Sequence, residues 1–368
     1  MLALATDRRT LLQTGAIGLG ALALPGCVTP GERLRTSSRL CLPPVNVDSS
    51  RIIRTVAGLR PYRESGFVVR AEALGDKRLV HNYGHGGAGI TLSWGSSKLA
   101  TDLGLPGHGG AVAVIGAGVM GLSTARLAQE AGFQVTVYAK ALPPQTTSNI
   151  AGGQISPFGH YRTGSTTPEW AQQFRAAMDY SWRRFQIMVG DDYGIRWLPT
   201  YEENDSWTAQ DAFHPNSRRL AKSEHPFPVD RMIAFDTMYV ETGRYLRQMI
   251  RDVQVAGGKI EIRDFPTPDA IAALPEKLVF NCTGLGARDL FGDTDLHPVR
   301  GQLAVLLPQP EIRYAASGSW GYMFPRADGI LLGGTFERDV FDPVPEPAAI
   351  QRIVDHHKAF FDAMSCRT

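Results

Sequence analysis

The chain has 368 residues, 43% of them hydrophobic and 20% charged, enough for one large domain or two interleaved ones. A formal net charge of +2 leaves no electrostatic case for a nucleic-acid partner. Cys27, Cys41, Cys282 and Cys366 have no metal-ligand spacing, so neither zinc nor a cluster is expected.

In chain order, residues 1–27 read as an export signal. Arg8 and Arg9 precede an apolar run from Gly15 to Leu24. That run falls short of the roughly 20 residues a bilayer span needs. The arginine pair resembles the twin-arginine type, and "LPGC" resembles a lipoprotein box with Cys27 as lipid acceptor, although Pro25 is off-pattern. A buried N-terminal helix is the alternative. The expected location is therefore exported and periplasmic, with a membrane anchor left open.

Residues 28–50 are aperiodic and read as a linker. Strand-like apolar pairs follow around Gly58 and Pro61. "RLVHNYGHGGAGITLSWGSSKLATDLG" then predicts a strand, a glycine turn and a helix beginning near Ile90. "AVAVIGAGVMGLSTARLAQEAGFQVTVYAK" is a βαβ unit: strand Val112 to Ile115, helix Val119 to Ala131, strand Gln134 to Tyr138. A hydroxyl- and glycine-rich loop, "QTTSNIAGGQISPF", precedes a helical segment. The stretch 190–235 is broken by aromatics and prolines and is the candidate substrate-facing part. "TGRYLRQMIRDVQVAGGKIEI" predicts a helix and a strand, "KLVFNCTGLGARDL" a buried strand ending in a glycine turn, and "GYMFPRADGILLGGTFE" a hairpin turning at Ala327–Gly329. The end is an amphipathic helix.

In "GAGVMG", Gly116 permits the tight turn, Gly118 admits a pyrophosphate, and Gly121 lets the helix pack close to the strand. Its setting, after a buried strand and opening a helix, favours a nucleotide site. The acid expected about 20 residues on is replaced by Lys140. A lysine there could face a 2′-phosphate and favour NADP, line an adenine pocket, or point to solvent. Gly84, Gly86, Gly87 and Gly89 form a second turn that offers bare N–H groups to an electron-rich edge. His81 and His85 flank it and read as structural histidines. Arg60 could hold a carboxylate bidentately or make a surface ion pair. Tyr322 by itself reads as a half-buried core tyrosine, and Cys282 as a small buried residue.

Taken jointly, "VAVIGAGVMGLSTA", "TTSNIAGG", "FNCTGLGA", "PVRGQ", "GYMFPR", "LLGGTFE", "GLRPYR" and "HNYGHGGAGITLSWG" resemble the D-amino acid oxidase family of flavoproteins, from Arg51 onward. In that family the arginine and "HNYGHGG" segments close the chain; here they precede the βαβ unit. The order resembles a circular permutation. A fold requires its elements in space, and termini often lie close together.

The resemblance implies an α/β fold: a Rossmann-type FAD-binding domain interleaved with a mixed-sheet substrate domain. Residues 51–110 would be the permuted segment completing the site. Residues 111–189 and 256–300 would bind FAD, 190–255 and the 301–345 hairpin would form the substrate domain, and 346–368 would be the C-terminal helix. Gly116, Ala117, Gly118, Val119, Met120 and Gly121 would hold the pyrophosphate, with Lys140 and Ala141 at the ribose position. Thr146, Thr147, Ser148, Gly152, Gly153 and Gln154 would line the flavin and its phosphates. Asp264 would meet adenine, and Thr283 and Gly284 the dinucleotide. Gly86, Gly87, Ala88, Gly89, Ile90 and Thr91 would cradle the flavin ring. Arg60 and Tyr322 would bind a substrate carboxylate, and the Gly87 carbonyl its amine. The family's second active-site tyrosine is replaced by Gly318, so Phe235, Met238 or Tyr239 is expected to shape that side.

The implied reaction is oxidative deamination of a D-amino acid by hydride transfer to flavin, with oxygen or another acceptor reoxidising the cofactor. The alternatives are oxidation of glycine, sarcosine or an acidic D-amino acid, a dehydrogenase, an NADP-dependent reductase, or a non-catalytic exported flavin-binding protein.

Overall fold

The computed structural model describes residues 40–157, 159–204 and 213–365. The export signal, its Cys27 acceptor and Cys366 lie outside the described residues. In chain order the elements are β1 (Ile52–Arg63), β2 (Val68–Leu74), β3 (Lys77–Tyr83), α1 (Gly89–Gly104), β4 (Val112–Ile115), α2 (Val119–Glu130) and β5 (Val135–Ala139). Then come α3 (Thr147–Ile150), α4 (Pro168–Ile187), β6 (Ile195–Glu202), β7 (Arg218–Ala221), β8 (Arg231–Val240), α5 (Thr242–Val255), β9 (Lys259–Ile262), α6 (Pro268–Ala272), β10 (Leu278–Asn281) and α7 (Ala287–Phe291). The last third holds β11 (Leu296–Leu306), β12 (Ala315–Gly318), β13 (Gly321–Arg326), β14 (Gly329–Gly333), β15 (Glu337–Arg338) and α8 (Pro347–Asp362).

The strands form two sheets. The first runs β2-β3-β10-β4-β5-β9. All its pairs are parallel except β2 with β3. A parallel sheet is covered on both faces, which explains the unbroken apolar runs of β4 and β10. Val112, Val114, Phe280 and Leu278 join one core with the apolar faces of α1, α2 and α5, while Ala113, Ile115 and Val279 join another with Phe265 and Ile271. The second sheet runs β1-β11-β14-β13-β12-β6-β8-β7, with β15 also on β11. The segment before the βαβ unit serves both: β1 pairs with β11, and β3 pairs with β10.

The second sheet buries both faces, and side chains alternate between them with the strand period of two. Leu303 and Val305 of β11, Phe324 of β13 and Leu331 of β14 share one core. Ala304, Leu306, Met323, Ile330 and Leu332 join the opposite one, under α8.

Two local findings differ from the sequence reading. The broken stretch 190–235 supplies strands β6, β7 and part of β8. Pro199 is tolerated because β12 pairs with β6 only from Thr200 onward, leaving the proline nitrogen no ladder partner to lose on that side. Residues 40–48, expected as linker, lack helix or strand, yet Val45 and Val47 are buried in the α8 core. Cys41 is disulfide-bonded, and Cys282 is a buried free thiol.

Helix α4 starts where the sequence supplies a cap: Thr167 Oγ1 accepts from the Trp170 N–H at 3.2 Å, and Pro168 fills the first helical position. It crosses α1 in backbone contact. A Cβ on Gly95 would lie 1.8 Å from the Ala177 carbonyl oxygen, and the Gly95 N–H donates to Ser181 Oγ at 2.8 Å. Gly95→Ala is therefore expected to cost about 2 kcal/mol or more by forcing the helices apart. A urea midpoint equal to that of the parent would refute this contact.

Candidate functional site

One cavity of about 1150 Å³ opens at the carboxyl ends of β4, β5 and β10 and continues onto the β13 side of the second sheet. Its volume slightly exceeds the roughly 300–1,000 Å³ of ordinary small-molecule sites. Ligands of open α/β sheets bind at such strand ends.

The β4–α2 turn forms its floor. Gly116 has φ +111°, and a Cβ there would meet the Cys282 carbonyl oxygen at 2.4 Å, so both conformation and space demand glycine. Gly118 is in extended backbone, which any residue adopts, so its glycine keeps space open. Gly121 faces away from the cavity: its Cβ would lie 1.8 Å from the Gly116 oxygen, the close helix–strand approach expected of it. No side chain caps Gly118 at the start of α2. The Val119 N–H donates to Ser148 Oγ at 3.0 Å, tying in the loop that carries Thr146, Thr147, Gly152, Gly153 and Gln154.

A second helix start faces the same space. Gly86, Gly87, Gly89 and Ile90 line it, and α1 begins behind them with no side-chain cap. The turn is fixed by the Gly87 N–H donating to the Gly159 carbonyl at 2.9 Å. Ala88 and Thr91 do not line the cavity. Ala88 is buried, and Thr91 Oγ1 donates to the Ser156 carbonyl at 2.9 Å, clamping the loop to α1. His81 pairs with Asn281 at 2.9 Å and Glu72 at 3.0 Å. His85 stacks on Phe67, and burial pushes its pKa down to about 3, so it is neutral. Cys282 touches the cavity, and burial pushes its thiol up to about 12.

Ala117, Met120, Lys140, Ala141, Asp264, Thr283 and Gly284 also line the cavity. Lys140 is paired with Asp264 at 3.3 Å, both largely exposed. The lysine's charge is thus partly answered by an acid from beyond β9, one strand over from where the sequence lacks it. That pairing weakens the case for a 2′-phosphate.

At the opposite end, Arg60 of β1 and Tyr322 of β13 come together. Arg60 lies over Gly301, where a Cβ would be 2.2 Å from its Nη2, and Nη1 donates to the Thr335 carbonyl at 3.1 Å. Burial raises the Tyr322 hydroxyl pKa; the charge of the nearby Arg60 guanidinium opposes that shift. A hydroxyl kept protonated beside a fixed cation can only strengthen a carboxylate site.

Sequence reasoning missed Glu202, Glu203, Phe324 and Phe336, which line this end. The expected Phe235, Met238 and Tyr239 do not line it. Met238 turns into the α2–α5 core, Tyr239 packs behind Phe324 with its hydroxyl 3.1 Å from Thr200 Oγ1, and Phe235 packs on His214. A period-two reading of "LPTYE" from Leu198 would have placed Glu202 on the cavity face.

The model of the DAO family, FAD dependent oxidoreductase, matches residues 9–103 and 111–367. The chain belongs to this family. It is an FAD-dependent oxidoreductase. Among its relatives, the D-amino-acid oxidase of Streptomyces coelicolor is 31% identical over 263 residues, covering 67% of this chain and 76% of that protein. The D-amino acid oxidase of Dugesia ryukyuensis is 26% identical over 265 residues, 69% and 78% of the two chains. The glycine oxidase of Geobacillus kaustophilus shares the fold, with TM-score 0.52 and 16% identity over 70% of this chain and 80% of that one.

The residues fit FAD. Two helix starts without an N-cap side chain face the cavity, Gly118 leaves room at one of them, and Gln154 Nε2 is buried beside the cavity without a partner. Gly118→Val should fold, because its backbone suits valine, and should be purified without visible flavin absorbance. A yellow variant with parental circular dichroism and melting temperature would remove Gly118 from the cradle.

Proposed function

We propose that this oxidoreductase deaminates D-amino acids to 2-oxo acids and ammonia, with oxygen as acceptor giving hydrogen peroxide. The convergence of Arg60 and Tyr322 at one end of the FAD cavity carries this reading. The likeness to proteins named D-amino-acid oxidases supports it.

Arg60 holds the substrate carboxylate in a two-pronged contact, and the Tyr322 hydroxyl donates a further hydrogen bond to it. The Gly87 carbonyl, exposed at the mouth of the α1 turn, accepts from the amine and sets which hydrogen of the α-carbon faces the cofactor. FAD supplies the two-electron acceptor. The α-carbon and amine together lose two electrons and two protons, and water hydrolyses the imino acid. No side chain of the chain is assigned as a base; positioning is the protein's contribution.

Two further readings belong to the proposal. The chain is a circular permutant of the family order. In support, residues near its two described ends meet on one side chain: Tyr314 Oη donates to the Pro43 carbonyl at 2.9 Å and contacts Met364 Sδ at 3.9 Å. The protein is exported. The bonded state of Cys41 suits an oxidising compartment.

A panel of D- and L-amino acids, glycine, sarcosine and D-glutamate, added under nitrogen, tests the activity. Neutral or basic D-amino acids are expected to bleach the flavin. Arg60→Ala should lose about 1,000-fold in kcat/KM while remaining yellow. Bleaching by none of the panel, or undiminished turnover in Arg60→Ala, would refute the reading. A re-cut chain running 111–368 and then 40–103 should fold and bind FAD if the order is permuted.

A further inference from the structure

The substrate end of the cavity holds a carboxylate that the chemistry above does not use. Glu202 ends β6. In the sheet, Tyr322 of β13 stands opposite Ser317 of β12, and Ser317 stands beside Glu202. These three residues form one row across three strands, so their side chains share a face. The core contacts agree: Leu198 of β6, four residues from Glu202, and Ala315 of β12 and Phe324 of β13, each two residues from its row member, pack in the same cluster on the cavity side. Two strand spacings put the Glu202 and Tyr322 backbones roughly 10 Å apart.

We propose that Glu202 recognises the substrate side chain, and that the site prefers D-amino acids with a cationic side chain of the lysine or arginine class. This rests on the deamination reading. The α-carboxylate anchored on Arg60 and Tyr322 orients the substrate, and an extended basic side chain laid along the row ends at Glu202.

Three observations support the assignment. Glu202 accepts a hydrogen bond from Asn204 Nδ2 at 3.1 Å, and no lysine or arginine is paired with it among the described residues. Burial raises its carboxyl pKa, with the Asn204 hydrogen bond and then His214 opposing that shift. An arriving cation would relieve that desolvation, whereas an acidic side chain would meet like charge. Finally, the neighbouring Glu203 takes the room beside Gly318. Its Oε2 accepts from the Ser319 N–H at 2.9 Å and Oγ at 2.8 Å, and a Cβ on Gly318 would lie 2.6 Å from that oxygen. The position that carries a tyrosine in the resembled family therefore presents an acid instead, and this end of the cavity is negative.

The holoenzyme decides the matter with D-arginine, D-lysine, D-norleucine and D-glutamate. The expected kcat/KM for D-arginine or D-lysine is about ten-fold or more above D-norleucine, with D-glutamate lowest. Glu202→Gln should lower the D-arginine to D-norleucine ratio about ten-fold, and Glu202→Asp should retain part of the preference. Binding is read separately with 5-guanidinopentanoate and hexanoate, neither of which has an amine to oxidise. The parent should bind the first more tightly, and Glu202→Gln should erase the difference. Equal or greater turnover of D-norleucine, or an unchanged ratio in Glu202→Gln, overturns the assignment while leaving deamination standing. If no D-amino acid is turned over, deamination fails, and the paired titration still tells whether Glu202 reads a cation.

Discussion

Two helix N-termini pointed into one cavity are the constraint on which the rest depends. A helix start leaves N–H groups unsatisfied and carries partial positive charge. At α1 and α2 the N-cap residue itself, Ala88 or Gly118, supplies no side-chain cap, and at α2 Ser148 takes only the Val119 N–H. Such ends persist where solvent or an electron-rich ligand completes them, and here both face the FAD cavity. The cost explains the glycines around them. Gly86, with φ +52°, and Gly116, with φ +111°, turn the chain where other residues are strained. Their missing side chains let Gly116 approach the Cys282 backbone after β10, and Gly86 the backbone of Gly159 and His160.

The first sheet makes that convergence independent of chain order. β3, which leads into α1, lies parallel to β10, and β10 lies parallel to β4, which leads into α2. Parallel strands end together, so the helices that follow β3 and β4 begin at one edge of the sheet. The chain may reach β3 before β4 or long after it; the hydrogen-bond ladder is the same. Among the described residues, the segment that precedes β1 packs its Val45 and Val47 in the α8 core.

Much of this was legible in the sequence, for physical reasons that differ by element. The βαβ unit has continuous apolar strands and a glycine turn, so periodicity and composition agree. The family resemblance led to Arg60 and Tyr322, which pattern alone would have left as a surface pair and a core tyrosine. The substrate face was less readable. In β6 the alternation is carried by Leu198, Thr200 and Glu202, a leucine, a threonine and an acid, interrupted by Pro199, so no hydrophobic period announces a strand. Lys140 was read as the missing acid's replacement because Asp264, its partner at 3.3 Å, is remote in sequence. Cross-strand neighbours of that kind become visible only with the register.

On the proposed reading, the second sheet holds both Arg60, the carboxylate anchor, and Glu202, the side-chain subsite. Arg60 is held by the Thr335 carbonyl and lies on a glycine whose replacement it would strike at 2.2 Å, so any side chain at residue 301 displaces the guanidinium. Glu202 and Glu203 sit at and just beyond a strand end, where β6 pairs with β12 over only three residues. Glu202 is also paired with Ile233 in the β6–β8 ladder, so its backbone is fixed from both sides, as Arg60 is fixed by β11.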